Sequence, residues 1–185
     1  MINNKKITVE KAHNLALKNH QENKLEEAQD LYNQVLKIDP NHSNALNNLG
    51  VLFKQLKKSY EAVSCFEKLI KIDPTNLNVL NTLGNTYKEL KEIQKAKACY
   101  EKGIEINPNH SIAHNNLGNI FKELREYQKA KECFEKALEI DPLNKLYMTT
   151  YGDTLIFLND KFKGFDYIKK GQGVIKFTPS YSKII

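Results

Sequence analysis

Residues 77–110 read LNVLNTLGNTYKELKEIQKAKACYEKGIEINPNH, and residues 111–144 read SIAHNNLGNIFKELREYQKAKECFEKALEIDPLN. The second stretch varies the first in register and without a gap. The register extends outward in both directions. Pro40, Pro74, Pro108 and Pro142 stand 34 residues apart, as do Gly50, Gly84, Gly118 and Gly152, and Ala28, Ala62, Ala96 and Ala130. Self-similarity at this period marks a stacked repeat array rather than one globular core. An array offers a modular surface, so the expected work is binding rather than chemistry.

Each repeat contains two amphipathic segments of 12–14 residues joined by a short polar turn. In residues 77–110, Leu80, Leu83, Tyr87 and Leu90 fall on one face of a helix. Ala96, Tyr100 and Gly103 mark the facing stripe of a second helix. Pro108 stops that helix, because proline lacks the N–H and clashes with the preceding turn. With proline at position 32, the repeats are 9–42, 43–76, 77–110 and 111–144. Residues 1–8 form an N-terminal tail, 145–170 a degenerate fifth repeat or capping helices, and 171–185 a C-terminal extension. The fold class expected is all-α, an α-solenoid of antiparallel helix pairs.

Composition narrows the field. Of the 185 residues, 41% are hydrophobic and 27% charged, as in a folded soluble protein. No apolar run approaches the ~18 residues that would span a bilayer. The opening MINNKK has two lysines and no apolar run behind them, so no secretory signal is expected and the cytoplasm is the default. Net charge is +6. Residues 1–142 carry 21 basic and 19 acidic groups, against 7 and 3 in residues 143–185. The array is nearly neutral, so nucleic acid is not the expected partner despite a pI near 9.0.

Cys65, Cys99 and Cys133 occupy one repeat position, held by Leu31 in the first repeat and Tyr167 in the last. Zinc sites normally take two ligands from a short C-x-x-C-type step, which is missing here. Helix spacing of ~8–10 Å between equivalent residues exceeds disulfide reach. The cysteines read as packing residues. His110 and His114 stand four apart, but with no acidic or cysteine partner nearby they do not read as a metal pair. There is no glycine-rich phosphate loop and no nucleophile in a recognisable setting. Neither catalysis nor a cofactor is expected.

The recurring residues resemble the tetratricopeptide repeat family. Its pattern has a bulky residue at position 4, Leu at 7, Gly or Ala at 8, an aromatic at 11, Ala at 20, an aromatic at 24, Ala at 27 and Pro at 32. Residues 43–76 match it with Leu46, Leu49, Gly50, Phe53, Ala62, Phe66, Leu69 and Pro74. Residues 111–144 match it with His114, Leu117, Gly118, Phe121, Ala130, Phe134, Ala137 and Pro142. The first repeat is weaker at its start, with Ala12, Leu15, Ala16 and Asn19. Position 15, often glycine in the family, holds Asn23, Lys57, Lys91 and Arg125. The resemblance implies a right-handed superhelix whose concave groove is lined by the first helix of each repeat.

By the same resemblance, positions 2, 5, 6, 9, 12 and 13 face or flank that groove. The candidate peptide-binding residues are Asn44, Asn47, Asn48 and Lys54; Asn78, Asn81, Asn85 and Lys88; and Asn115, Asn116, Asn119 and Lys122. The first repeat differs, with Glu10, His13, Asn14, Leu17, His20 and Gln21. Of 21 asparagines in the chain, 10 fall on the 16 sites at positions 2, 5, 6 and 9 of four repeats, where chance would place about two. An amide both donates and accepts, so a ladder of amides suits an extended polypeptide held by its backbone. This is similar to the asparagine-lined arrays of O-linked N-acetylglucosamine transferases. Lys54, Lys88 and Lys122 add a positive rail favouring acidic ligands, which Glu89 and Glu123 weaken. The basic pairs with which chaperone-binding members clamp a terminal carboxylate are missing.

The expected function is a scaffold that binds an extended polar or acidic segment of a partner protein. The alternative is a substrate-recruiting module for a transferase or oxygenase domain, fused or in trans. Two further helices are expected over 145–158 and 161–170, and a strand over 174–177. The last repeat is rich in Tyr147, Tyr151, Phe157, Phe162, Phe165, Tyr167 and Ile168, and the apolar C-terminal segment offers a self-association surface.

Overall fold

The computed structural model describes residues 8–172. The tail before residue 8 and the segment 173–185, with its expected strand, lie outside them. The described residues form ten helices: α1 (Val9–Gln21), α2 (Leu25–Ile38), α3 (Ser43–Gln55), α4 (Ser59–Ile72), α5 (Leu77–Glu89), α6 (Ile93–Ile106), α7 (Ser111–Glu123), α8 (Tyr127–Ile140), α9 (Lys145–Phe157) and α10 (Lys161–Gln172). The fold is all-α, a solenoid-class stack of helix pairs. Two compact units divide it, Met1–Cys99 and Tyr100–Ile185.

Local chemistry sets the helix ends. Four of the five first helices start at a side-chain cap, and α7 begins at His110 without one. Thr8 Oγ1 accepts from the Lys11 N–H, His42 Nδ1 from Ala45, Asn76 Oδ1 from Val79, and Asn144 Oδ1 from Leu146 and Tyr147. Each first helix ends in a residue of left-handed conformation: Asn23, Lys57, Lys91, Arg125 and Asn159, with φ between 58° and 67°. Each turn closes with a bond from the next residue's N–H back five residues, as in Lys58 to the Phe53 carbonyl (2.8 Å) and Glu126 to the Phe121 carbonyl (2.8 Å). This is the αL helix terminus usually given to glycine. The second helices begin directly from it, without a side-chain cap, at Lys24, Lys58 and Glu126. They end at Asp39, Asp73 and Asp141, before the periodic prolines. Proline disfavours the helical region in the residue before it, and Asp39 and Asp73 are extended. Their carboxylates accept from the N–H two residues on, Asn41 (3.1 Å) and Thr75 (3.0 Å), tying the turn to the next helix.

In the first unit, α1 packs on α2 and α3 on α4, and the pairs stack through α2–α3 and α4–α5. Its core gathers Ala12, Ala16, Ala28, Tyr32, Val35, Leu49 and Leu52. In the second unit, α7 packs on α8 and α9 on α10, with α8 stacked on α9. Phe134, Tyr151, Ile120 and Leu155 are the large side chains buried there. The periodic glycine at position 8 has the same task in both units. A Cβ on Gly50 would lie 2.7 Å from the Phe66 ring, and one on Gly118 would lie 2.7 Å from the Phe134 ring. The cysteines take part in this packing. Cys65 and Cys99 are buried and Cys133 half-buried, and burial pushes all three thiols up to about 11.

Candidate site: the polar face of the first helices

In the first unit, α1, α3 and α5 present the expected polar face. Asn44, Asn47 and Asn78 are exposed, while Asn48, Asn81, Asn85, Lys54 and Lys88 are half-buried. Several side chains brace one helix to the next. His13 Nε2 meets Asn48 Nδ2 (3.3 Å), and His20 Nε2 meets Gln55 Oε1 (3.1 Å), joining α1 to α3. Lys54 Nζ donates to Glu89 Oε1 (2.9 Å), joining α3 to α5. The His13 ring lies 5.0 Å from His42 and 6.0 Å from Tyr32, centroid to centroid. Burial, and then the neighbouring His42 charge, hold His13 below the ordinary imidazole range.

The second unit places the same repeat positions differently. Asn115 is only 4% exposed, and its Oδ1 accepts from the Thr150 hydroxyl (3.2 Å) of α9. It sits in the seam between α7 and α9, so it does not offer its amide to a ligand as the sequence suggests. Asn119 turns its Nδ2 back onto the Asn115 carbonyl of its own helix (3.1 Å). Asn116 and Lys122 are half-buried. Lys122 Nζ lies 3.9 Å from Asp153 Oδ2, and burial raises the Asp153 carboxyl despite that attraction. Toward the end of the unit the face becomes apolar, with Ile112, Leu146 and Phe157 exposed. Phe157 stacks flat on Tyr127, with ring centroids 4.8 Å apart.

Besides that of Asn115, one more expectation changes. The lysine rail is not a row of open cations, because Lys54 and Lys122 meet carboxylates on the following first helix. The partner of Lys54, Glu89, is one of the two acids that weaken the rail in the sequence. Asp153 is the residue that sequence reasoning missed, and carrying the register into the fifth pair places it at position 9. His114 is half-buried, with Nε2 2.9 Å from the Pro108 carbonyl oxygen. The phenols of Tyr87 and Tyr151 donate to Glu67 (2.5 Å) and Glu135 (2.6 Å); burial, and then those bonds, keep both protonated. Among the described residues no three His, Cys, Asp or Glu side chains are placed to hold a metal ion. None of the described helices is long and apolar enough to cross a membrane.

The fold is shared with known proteins. MamA from Desulfovibrio magneticus RS-1 superposes with a TM-score of 0.79 at 19% identity, covering 96% of this chain and 97% of that one. PilF from Pseudomonas aeruginosa gives 0.75 at 24% identity, covering 91% and 78%. YrrB, described as a TPR protein with an unusual peptide-binding site, gives 0.73 at 22% identity, covering 93% and 89%. No curated protein matches the chain. The tetratricopeptide repeat profile matches residues 43–76, 78–110 and 111–144, and a second TPR profile matches residues 18–57. Those matches take in most of the periodic region, and the chain therefore belongs to the tetratricopeptide repeat family.

Proposed function

We propose that this chain is a protein-interaction scaffold that holds an extended polar segment of a partner protein on the amide face of its first unit. The observation that carries this reading is the exposure of Asn44, Asn47 and Asn78 on α3 and α5, beside the half-buried Asn48, Asn81 and Asn85. Amides of this kind engage the C=O and N–H of a peptide backbone together, so side-chain selectivity is low. The Lys54–Glu89 pair neutralises part of the rail, so acidic segments gain little over neutral polar ones. The asparagine ladder is similar to those of O-linked N-acetylglucosamine transferases, which supports backbone recognition. The repeats are taken as 9–42, 43–76, 77–110 and 111–144, with 145–170 as a fifth pair. Nothing among the described residues favours the recruiting-module alternative.

The test is a peptide array of acidic, neutral polar, basic and apolar extended sequences. It is probed with the wild-type chain and with the Asn44→Ala, Asn47→Ala, Asn78→Ala triple variant. Polar peptides that bind the wild type and are lost with the variant, at unchanged melting temperature, support the reading. Equal binding by both proteins would refute it.

A further inference from the structure

The side-chain caps of α1, α5 and α9 are Thr8, Asn76 and Asn144, which do not titrate. The cap of α3 does. His42 Nδ1 accepts from the Ala45 N–H (3.1 Å), so the lone pair of that nitrogen is the cap. A proton there removes the acceptor and sets a positive charge at the positive end of the helix dipole. His13 of α1 holds α3 in the same way. Its Nε2 lies 3.3 Å from Asn48 Nδ2, and accepts from that amide while the ring is neutral. Protonated, Nε2 carries a hydrogen of its own and meets the NH₂ group donor to donor. The two rings stand 5.0 Å apart, centroid to centroid. The lone pairs that fasten the start of α3 thus belong to two neighbouring imidazoles, side chains that titrate just below neutral pH.

The groups around the pair come from each neighbouring element. α2 brings Tyr32 to 6.0 Å from the His13 ring, and burial holds that phenol above its ordinary range, so it is neutral. α3 brings Asn48, with His42 at its start. On α1 itself, Glu10 lies one turn before His13, and His20 lies two turns after it, 3.1 Å from Gln55 Oε1. In the turn before α3 the Asp39 carboxylate accepts from the Asn41 N–H (3.1 Å). The charge that acts on His13 is that of His42, and it opposes protonation. The turn so fastened carries Asn44, and the next turn Asn47, two of the exposed amides of the polar face.

We propose that His13 and His42 form an acid-operated switch on the first turn of α3, fastened while both rings accept from that helix and released when they are protonated. The switch needs no ligand; its effect on peptide binding rests on the amide-face reading. It is tested on the full chain by NMR from about pH 8 to about pH 5, in the wild type and in His42→Asn, which gives α3 the cap that Asn76 gives α5. In the wild type the Ser43 and Ala45 backbone signals should lose helical character in step with the two rings, while Val79, capped by Asn76, stays in place. In His42→Asn, Ala45 should stay helical, and His13 should titrate at a higher pH than in the wild type. Ala45 moving no more than Val79 while both rings titrate would overturn the proposal. So would a transition that persists unchanged in His42→Asn, or loss of Ala45 and Val79 together. A polar peptide selected on the array should bind the wild type about tenfold more weakly at the acid end, the worth of a helix cap, and His42→Asn should lose less. An array without bound peptides, with the Ala45 transition intact, would count against the amide face and support the switch.

Discussion

Asn47 and Asn115 occupy the same repeat position on first helices of the two units, yet one is exposed and the other is buried against Thr150. The interior shows the reverse relation. A Cβ on Gly50 would stand as close to the Phe66 ring as one on Gly118 would to the Phe134 ring, 2.7 Å in both cases. Repetition has thus fixed the seam inside a helix pair, while each polar face depends on what the neighbouring helix brings to it. Residue type at a periodic position does not by itself say whether the side chain is open.

The sharpest way to break this comparison is to truncate both amides. Asn115→Ala should cost about 1–3 kcal/mol in urea unfolding, because it strips a buried polar seam. Asn47→Ala should stay within about 0.5 kcal/mol, as for an exposed site without such a role. Equal costs would erase the distinction between the two faces. Next comes the glycine–ring seam inside a helix pair of each unit. Gly50→Ala and Gly118→Ala should each lose about 1–2 kcal/mol, the overpacking of a buried ring less the helix propensity of alanine. A large gap between the two would show that the interiors also differ.

A smaller effect follows from acid titration. Burial lowers His13 in the first unit and His110 in the second, each aided by a second histidine, His42 and His114 respectively. Below the ordinary value of 6.5, the unfolded chain then binds more protons than the folded one. Stability is therefore present above that value and lost as pH falls through and below it. Melting temperature followed from neutral pH down to about 5 should decline, and His13→Gln should flatten part of the decline. An unchanged slope in that variant would remove His13 from the account. The smallest change is expected at the turns. Lys57→Gly and Arg125→Gly relieve an αL conformation costing about 1–2 kcal/mol, and offset most of that through glycine's chain entropy. Each should raise stability by about 0.5 kcal/mol, with Asn23→Gly giving less because asparagine tolerates this conformation.

Much of the fold was legible because it is written in large, periodic residues. The leucine face of α5, the alanines of the second helices and the prolines that follow them gave the pairs and their register. The turns were legible only as positions. Lys57, Lys91 and Arg125 carry no glycine, and nothing in their chemistry announces a positive φ. The candidate site was half legible. Asn44, Asn47 and Asn78 lie open as the repeat register predicts, whereas the burial of Asn115 depends on Thr150, 35 residues away. The pairing of Lys54 could be read from Glu89, since both belong to the polar face. The pairing of Lys122 with Asp153 needed the fifth pair to be placed first.

The most direct test of the open amide face is a titration of the protein with an extended polar peptide selected on the array, following asparagine side-chain amide signals by NMR. The account predicts that the Asn44, Asn47 and Asn78 signals shift with added peptide while the Asn115 signal stays where it is. Movement of Asn115 with the first-unit asparagines stationary would contradict it.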